Sequence, residues 1–278
     1  MNRVVIGIIG GKGQMGKWFS RFFTRAGHRV LISDLKTELR PKDIAKKSDV
    51  LVLSVPINTA LKLSGVIGPM LRKEQLFMDF CSMKEDIMKK MLNDTCAEVA
   101  GVHPLFGPYP TDLKGQNIIL CQGKGTHWLK WLENEFKKEG ASVICMNPET
   151  HDRNMAVIQG LTHMLTVCLG RLLQKIDMNP KEAILYSTPV FRINIDLIGR
   201  LLSQDLNLYD DLIGGNRYLP EVLEEFYLVL QEGKERLISG KKGEGALFMK
   251  EIRDFFGQLC KQGLDESNKI IEAVYSKE

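Results

Sequence analysis

The sequence predicts an α/β chain in two domains, and three observations carry that expectation. Short β-branched runs alternate with amphipathic stretches through the first half, the pattern of a parallel sheet covered by helices. A G-x-G-x-x-G turn, Gly11 to Gly16, directly follows the first of those runs. From about residue 150 the strand-like runs stop and long helical patterns take over. The expected organisation is an N-terminal Rossmann-like dinucleotide-binding domain over residues 1–148 and an all-helical C-terminal domain over residues 149–278.

The first run, residues 4–9 (VVIGII), suits a buried parallel strand, and Gly10 and Gly11 end it. In the turn, Gly11 is expected to permit the tight bend, Gly13 to let a pyrophosphate approach the backbone, and Gly16 to let helix and strand pack closely. Gln14 and Met15 open the helix that follows, whose free N–H groups and positive dipole end favour phosphate. The second strand, residues 29–33, ends at Asp34, where a carboxylate accepts both ribose hydroxyls. A 2′-phosphate there meets like charge, so the expected cofactor is NAD.

The third strand, residues 49–55, brings Val55 and Pro56 to the same crevice. Asn58 then opens a helix, as its N-cap, as a contact to the cofactor, or as both. A fourth strand, residues 76–80, leads into Ser82 and Lys84, and a fifth, residues 98–102, into His103. Ligands of open α/β sheets bind beyond the carboxyl ends of strands, so Ser54, Ser82 and His103 are expected to face one crevice. A histidine there takes a proton near neutral pH, and a neighbouring hydroxyl holds its ring. Lys84 reads either as a surface residue at a helix start or as a cation facing an anionic ligand. Strands are also expected at 117–121 and 142–146, with a helix between them. Its stripe of Trp128, Leu132 and Phe136 is core.

In the second half, helices are expected at 151–176, 181–187, 189–203, 220–239 and 243–275. His151 and His163 lie about 18 Å apart along one helix, too far to touch one small substrate together. Each alone reads first as a structural hydrogen-bonder. Asp196 lies four residues from both Arg192 and Arg200, so it pairs with either one or leaves one to a substrate carboxylate.

Net charge is +4, and the paired lysines are isolated, which argues against a nucleic-acid partner. Six cysteines form no CxxC pair and no zinc-like cluster, so reduced core thiols and no metal are expected. The apolar N-terminus lacks a signal-peptide pattern and no apolar run is expected to be long enough to span a bilayer, which points to a cytoplasmic protein.

The stretches GGKGQMG (10–16), SVPIN (54–58), DFCSMK (79–84), GVHPLFGP (101–108), ETHDRNMAVIQGLTH (149–163) and STPVFRINIDLIGRLLSQD (187–205) together resemble the prephenate dehydrogenase family. The resemblance implies NAD-dependent oxidative decarboxylation of prephenate, or of arogenate in a close variant. It implies His103 as the base, Ser82 as the hydroxyl bonded to it, and Arg200 as the carboxylate ligand. It further implies His163 at the substrate pocket, Lys84 in the same motif as Ser82, and a helical domain that makes a homodimer. No stretch is left over for a chorismate mutase or ACT domain. Other dehydrogenases of the same two-domain plan, and a nucleotide-binding protein without chemistry, are the competing readings.

Overall fold

The structure is a computed structural model and describes residues 3–238 and 240–276. The chain divides into two compact units, Met1–Met155 and Ala156–Glu278.

In the first unit, strand β1 (Val5–Ile9) leads through the glycine turn into helix α1 (Gln14–Arg25) and then strand β2 (Arg29–Ser33). Helix α2 (Pro41–Lys47), strand β3 (Val50–Leu53) and helix α3 (Ile57–Ile67) follow. Next come β4 (Leu76–Asp79), α4 (Glu85–Asp94), β5 (Glu98–Pro104), β6 (Asn117–Lys124), α5 (His127–Lys138), β7 (Ser142–Met146) and α6 (Pro148–Met155). The seven strands form one sheet in the order β2-β1-β3-β4-β5-β6-β7. Strands β1 to β5 are mutually parallel, so their carboxyl ends open on one edge. Strand β6 turns antiparallel to β5 and β7 follows it in parallel.

Burial on both faces explains why β3 and β4 read as continuous apolar runs rather than alternating ones. One face packs Ile6, Ile8, Val52 and Met78 against Trp18 and Phe19 of α1 and Leu132 and Phe136 of α5. The other packs Leu51, Leu53 and Phe77 against Ile44, Ala60, Ile87 and Met91 of α2 to α4. Trp128 donates its indole N–H to the Glu74 carbonyl at 2.8 Å, which satisfies the polar atom of a buried ring.

The second unit is helical. A π-helical turn (Ala156–Leu161) precedes α7 (Thr162–Lys175), α8 (Pro180–Leu185), α9 (Pro189–Leu202), α10 (Leu206–Gly214), α11 (Leu219–Ile238), α12 (Glu244–Phe256) and α13 (Leu259–Tyr275). Two boundaries depart from the sequence expectation. The helix expected over 243–275 is two helices, because Gly257 takes φ +55° and ends α12. Helix α10 was not expected; Asp205 caps it by accepting from the Asn207 N–H at 3.0 Å.

A third departure concerns length. The helical stretch Pro148–Lys175, 28 residues, is long and apolar enough to cross a membrane by length and composition alone. Gln159, Thr162, His163 and Thr166 interrupt its apolar residues, so it does not read as an uninterrupted run. Helices α12 and α13 bury no residue within the chain, although Phe255, Phe256, Leu259 and Leu264 lie on them.

Candidate functional site

The glycine turn is built as a cradle. The left-handed residue is Gly10, at φ +82°, and not Gly11 as expected. A side chain at Gly10 would also meet the Ser54 carbonyl at 2.2 Å and Val55 at 2.7 Å. Gly11 serves packing instead, since an added Cβ would lie 2.5 Å from the Ile32 side chain of β2. Gly16 does what the motif predicts: its Cβ would fall 2.2 Å from the Gly10 carbonyl, so helix and turn close up only around a hydrogen. Gly13 is the N-cap of α1, with no side-chain cap and no acid in the first turn. That leaves the amides of Gln14 and Met15 for an external anion.

Asp34 stands at the end of β2 with both carboxylate oxygens directed by backbone. Oδ2 accepts the Lys12 N–H and Oδ1 the Leu35 N–H, each at 2.8 Å. The carboxylate is thereby tied to the phosphate turn. Asn58 is not the cap of α3. Pro56 holds that place with an extended ψ of 147°, and Asn58 lies exposed in the first turn. These residues fit a dinucleotide: uncapped amides for the phosphates, a tight glycine floor, and an acid at the ribose position.

The buried chemistry lies around β4 and β5. Lys84 is neither on the surface nor turned to a ligand, as the sequence reading had allowed. It is fully buried, ion-paired to Asp79, and donates to the Val102 carbonyl at 3.1 Å. Its stem is housed by Gly101, where a Cβ would meet Lys84 Cδ at 2.8 Å. Asp79 also accepts the Cys81 N–H at 2.8 Å, while its second oxygen is buried without a partner among the described residues. Burial raises the Asp79 carboxyl above its ordinary range, against the opposing pull of the Lys84 ammonium. Burial also pushes the Cys81 thiol up, and Cys121 to about 12.

His103 is 2% exposed near the end of β5. Burial lowers its pKa well below the usual histidine value, and the neighbouring His151 and Lys84 add to the effect. The ring is therefore neutral near pH 7. At Nδ1 its partner is His151, whose Nε2 lies 2.8 Å away, rather than Ser82. His151 Nδ1 lies 2.7 Å from Asp152 Oδ1. Asp152 in turn accepts the N–H groups of Lys84 (2.8 Å) and Glu85 (2.9 Å) at the start of α4. Ser82 is half-buried in the turn between β4 and α4. Sequence reasoning had separated His151 from the reactive group because it compared it only with His163. The available signal was the adjacent His-Asp pair at the opening of a helix.

In the second unit, His163 packs edge-to-face on Tyr209 of α10 at 5.1 Å, and partial burial lowers its pKa. Tyr209 also meets the Gln204 amide at 2.9 Å. Arg200 lies exposed in the last turn of α9. Asp196 pairs with Arg192, at 3.4 Å. Among the described residues no group of His, Cys, Asp and Glu is arranged to hold a metal ion.

Two family models match. Residues 25–145 match the prephenate dehydrogenase nucleotide-binding domain, and residues 147–251 match the prephenate dehydrogenase dimerization domain. A probable arogenate/prephenate dehydrogenase of Methanocaldococcus jannaschii is 34% identical over 99% of this chain, and the chain spans 66% of that protein's length. The T-protein of Haemophilus influenzae is 32% identical over 95% of this chain and 70% of its own length. In fold, the chain resembles an A. aeolicus prephenate dehydrogenase solved with hydroxyphenyl propionate and NAD+. That match has a TM-score of 0.75 at 21% identity and covers 91% of this chain and 97% of that one. A Synechocystis arogenate dehydrogenase matches with a TM-score of 0.72 at 17% identity, over 91% of this chain and all of the other. With both domain models matched in order and a 32% identical relative covered over 70% of its length, the chain belongs to the prephenate dehydrogenase family.

Proposed function

We propose that the chain is an NAD-dependent dehydrogenase that oxidatively decarboxylates prephenate to 4-hydroxyphenylpyruvate and carbon dioxide. The observation that carries this reading is His103, buried and neutral on the same sheet edge as the glycine turn. NAD, when bound, takes up the hydride from the ring carbon that bears the hydroxyl. Gly11, Gly13, Gln14, Met15 and Gly16 hold its pyrophosphate, Asp34 its ribose, and Val55, Pro56 and Asn58 the approach to its nicotinamide.

His103 takes the hydroxyl proton at the same time, since a neutral imidazole is the form that accepts one. Ser82 orients the reacting end of that ring. Loss of the ring carboxylate as carbon dioxide makes the ring aromatic, which drives the step forward. Arg200 binds a substrate carboxylate through its planar guanidinium, and His163, held by Tyr209, lines the side-chain pocket. Lys84 belongs to the scaffold under His103, because its charge is already matched by Asp79. The exposed apolar residues of α12 and α13 fit a homodimer made by this unit, in keeping with the matched dimerization domain.

Arogenate is the second reading, favoured by the dual name of the Methanocaldococcus relative. The test is NADH absorbance with NAD and prephenate, and in parallel with arogenate. Turnover of prephenate supports the proposal. Preference for arogenate keeps the chemistry and changes the substrate. Turnover of neither by the folded, NAD-binding protein refutes both.

A further inference from the structure

We propose that His151 and Asp152 are positioning residues that fix the proton of His103 on Nδ1 and so present Nε2 as the basic nitrogen. The inference rests on the reading of His103 as the base and extends it to two groups behind that base.

The argument begins at Asp152. Its carboxylate accepts the Lys84 N–H at 2.8 Å and the Glu85 N–H at 2.9 Å, and lies 2.7 Å from His151 Nδ1. The two amides belong to the start of α4 and can only donate. Asp152 is therefore an acceptor, anchored at a helix N-terminus, and His151 must carry its proton on Nδ1. In the neutral ring, His151 Nε2 is then the lone-pair nitrogen. It lies 2.8 Å from His103 Nδ1, so His103 must donate from Nδ1. The lone pair of His103 is left on Nε2.

Burial makes this order matter. His151 is 0% exposed, His103 2% and Asp152 5%, so water does not compete for any bond in the line. Lys84, the other charged group against His103, is committed to Asp79 and the Val102 carbonyl. A proton arriving at His103 Nε2 from a substrate hydroxyl creates an imidazolium. Its charge is met at Nδ1 by the His151 lone pair, backed by Asp152.

The first test needs no substrate. Nitrogen-15 spectra of the histidine-labelled protein near neutral pH, assigned by single substitutions among its five histidines, report which ring nitrogen bears each proton. A pyrrole-type signal at Nδ1 and a pyridine-type signal at Nε2 are expected for both His103 and His151. A proton on Nε2 of either ring overturns the proposal.

The second test uses His151→Leu and His151→Gln, both of which leave Asp152 to cap α4. Leu removes the acceptor, so kcat falls on the order of 10²–10⁴-fold, with KM and NAD affinity near wild type. Gln returns a carbonyl acceptor near the Nε2 position and restores kcat to within about tenfold. Unchanged kcat in His151→Leu overturns the proposal, as does an equal loss in the two variants with unchanged spectra at His103. Because the spectra do not depend on turnover, failure of the dyad and failure of the proposed reaction are separable.

Discussion

Replacing Lys84 by Met tests the buried pair beneath His103. The substitution keeps the stem's length and removes the ammonium that neutralises Asp79, a residue 0% exposed with one oxygen already lacking a partner among the described residues. Stranding one member of a buried ion pair costs about 3–5 kcal/mol, much of it the penalty of an uncompensated carboxylate. Asp79 then escapes by taking a proton, since burial already raises its pKa with Lys84 present. A second change, Asp79→Asn, removes the stranded charge in advance. In a double-mutant cycle by urea denaturation, Lys84→Met is expected to lower stability by about 3–5 kcal/mol. The double variant should recover on the order of 2 kcal/mol of it through coupling. Lys84→Met should also move the acid limb of kcat/KM upward, because Lys84 is one of the groups that depress His103. Strictly additive losses, or a loss below about 1 kcal/mol, would refute the reasoning that the pair is a dry, mutually dependent unit.

Other outcomes follow from the same geometry. His103→Ala is expected to abolish turnover while NAD affinity, followed by fluorescence titration, survives; near-normal rates would remove His103 as the base. The acid limb of kcat/KM should fall below the ordinary histidine value of about 6.5, since His103 is depressed. The unfolded chain protonates this residue first, so its contribution to stability is present above about pH 6.5 and declines as pH drops toward the folded pKa. A limb above 6.5 would contradict the burial argument. Asp34→Ala should relax discrimination against NADP, read as the ratio of kcat/KM values, and an unchanged ratio would take Asp34 out of the ribose site. Arg200→Ala should cost about 2–5 kcal/mol in kcat/KM by leaving a substrate carboxylate without its partner; a loss under threefold would disqualify it.

The fold was legible because its signals are local. The first two strand runs, the glycine turn and Asp34 sit within the first forty residues, and each reports backbone geometry directly. What was misread depends on packing. Gly10 and Gly11 are adjacent glycines, and the left-handed one, Gly10, is packed against Ser54 and Val55, just past β3 and more than forty residues on in the sequence. Lys84 reads as a surface residue or as a cation facing a ligand because nothing in its neighbours in sequence shows that Gly101, seventeen residues on, leaves room for its stem. His151 reads as an isolated histidine until β5 and α6 are in place and its ring meets His103. The second unit is helical as its periodicity predicts, but α10 escapes that signal, since its nine residues are too few for a clear periodic stripe.

The cysteines divide by accessibility in a way that serves the experimenter. Cys121 lies in the middle of β6, 0% exposed and with its thiol pushed up to about 12, while Cys96, Cys145, Cys168 and Cys260 are exposed within the chain. A thiol-directed reagent therefore meets those four from solvent, and reaches Cys121 only when the sheet opens. Its alkylation rate is an internal clock for that opening, read by mass spectrometry without any added label, and NAD bound at the far end of the same sheet should slow it.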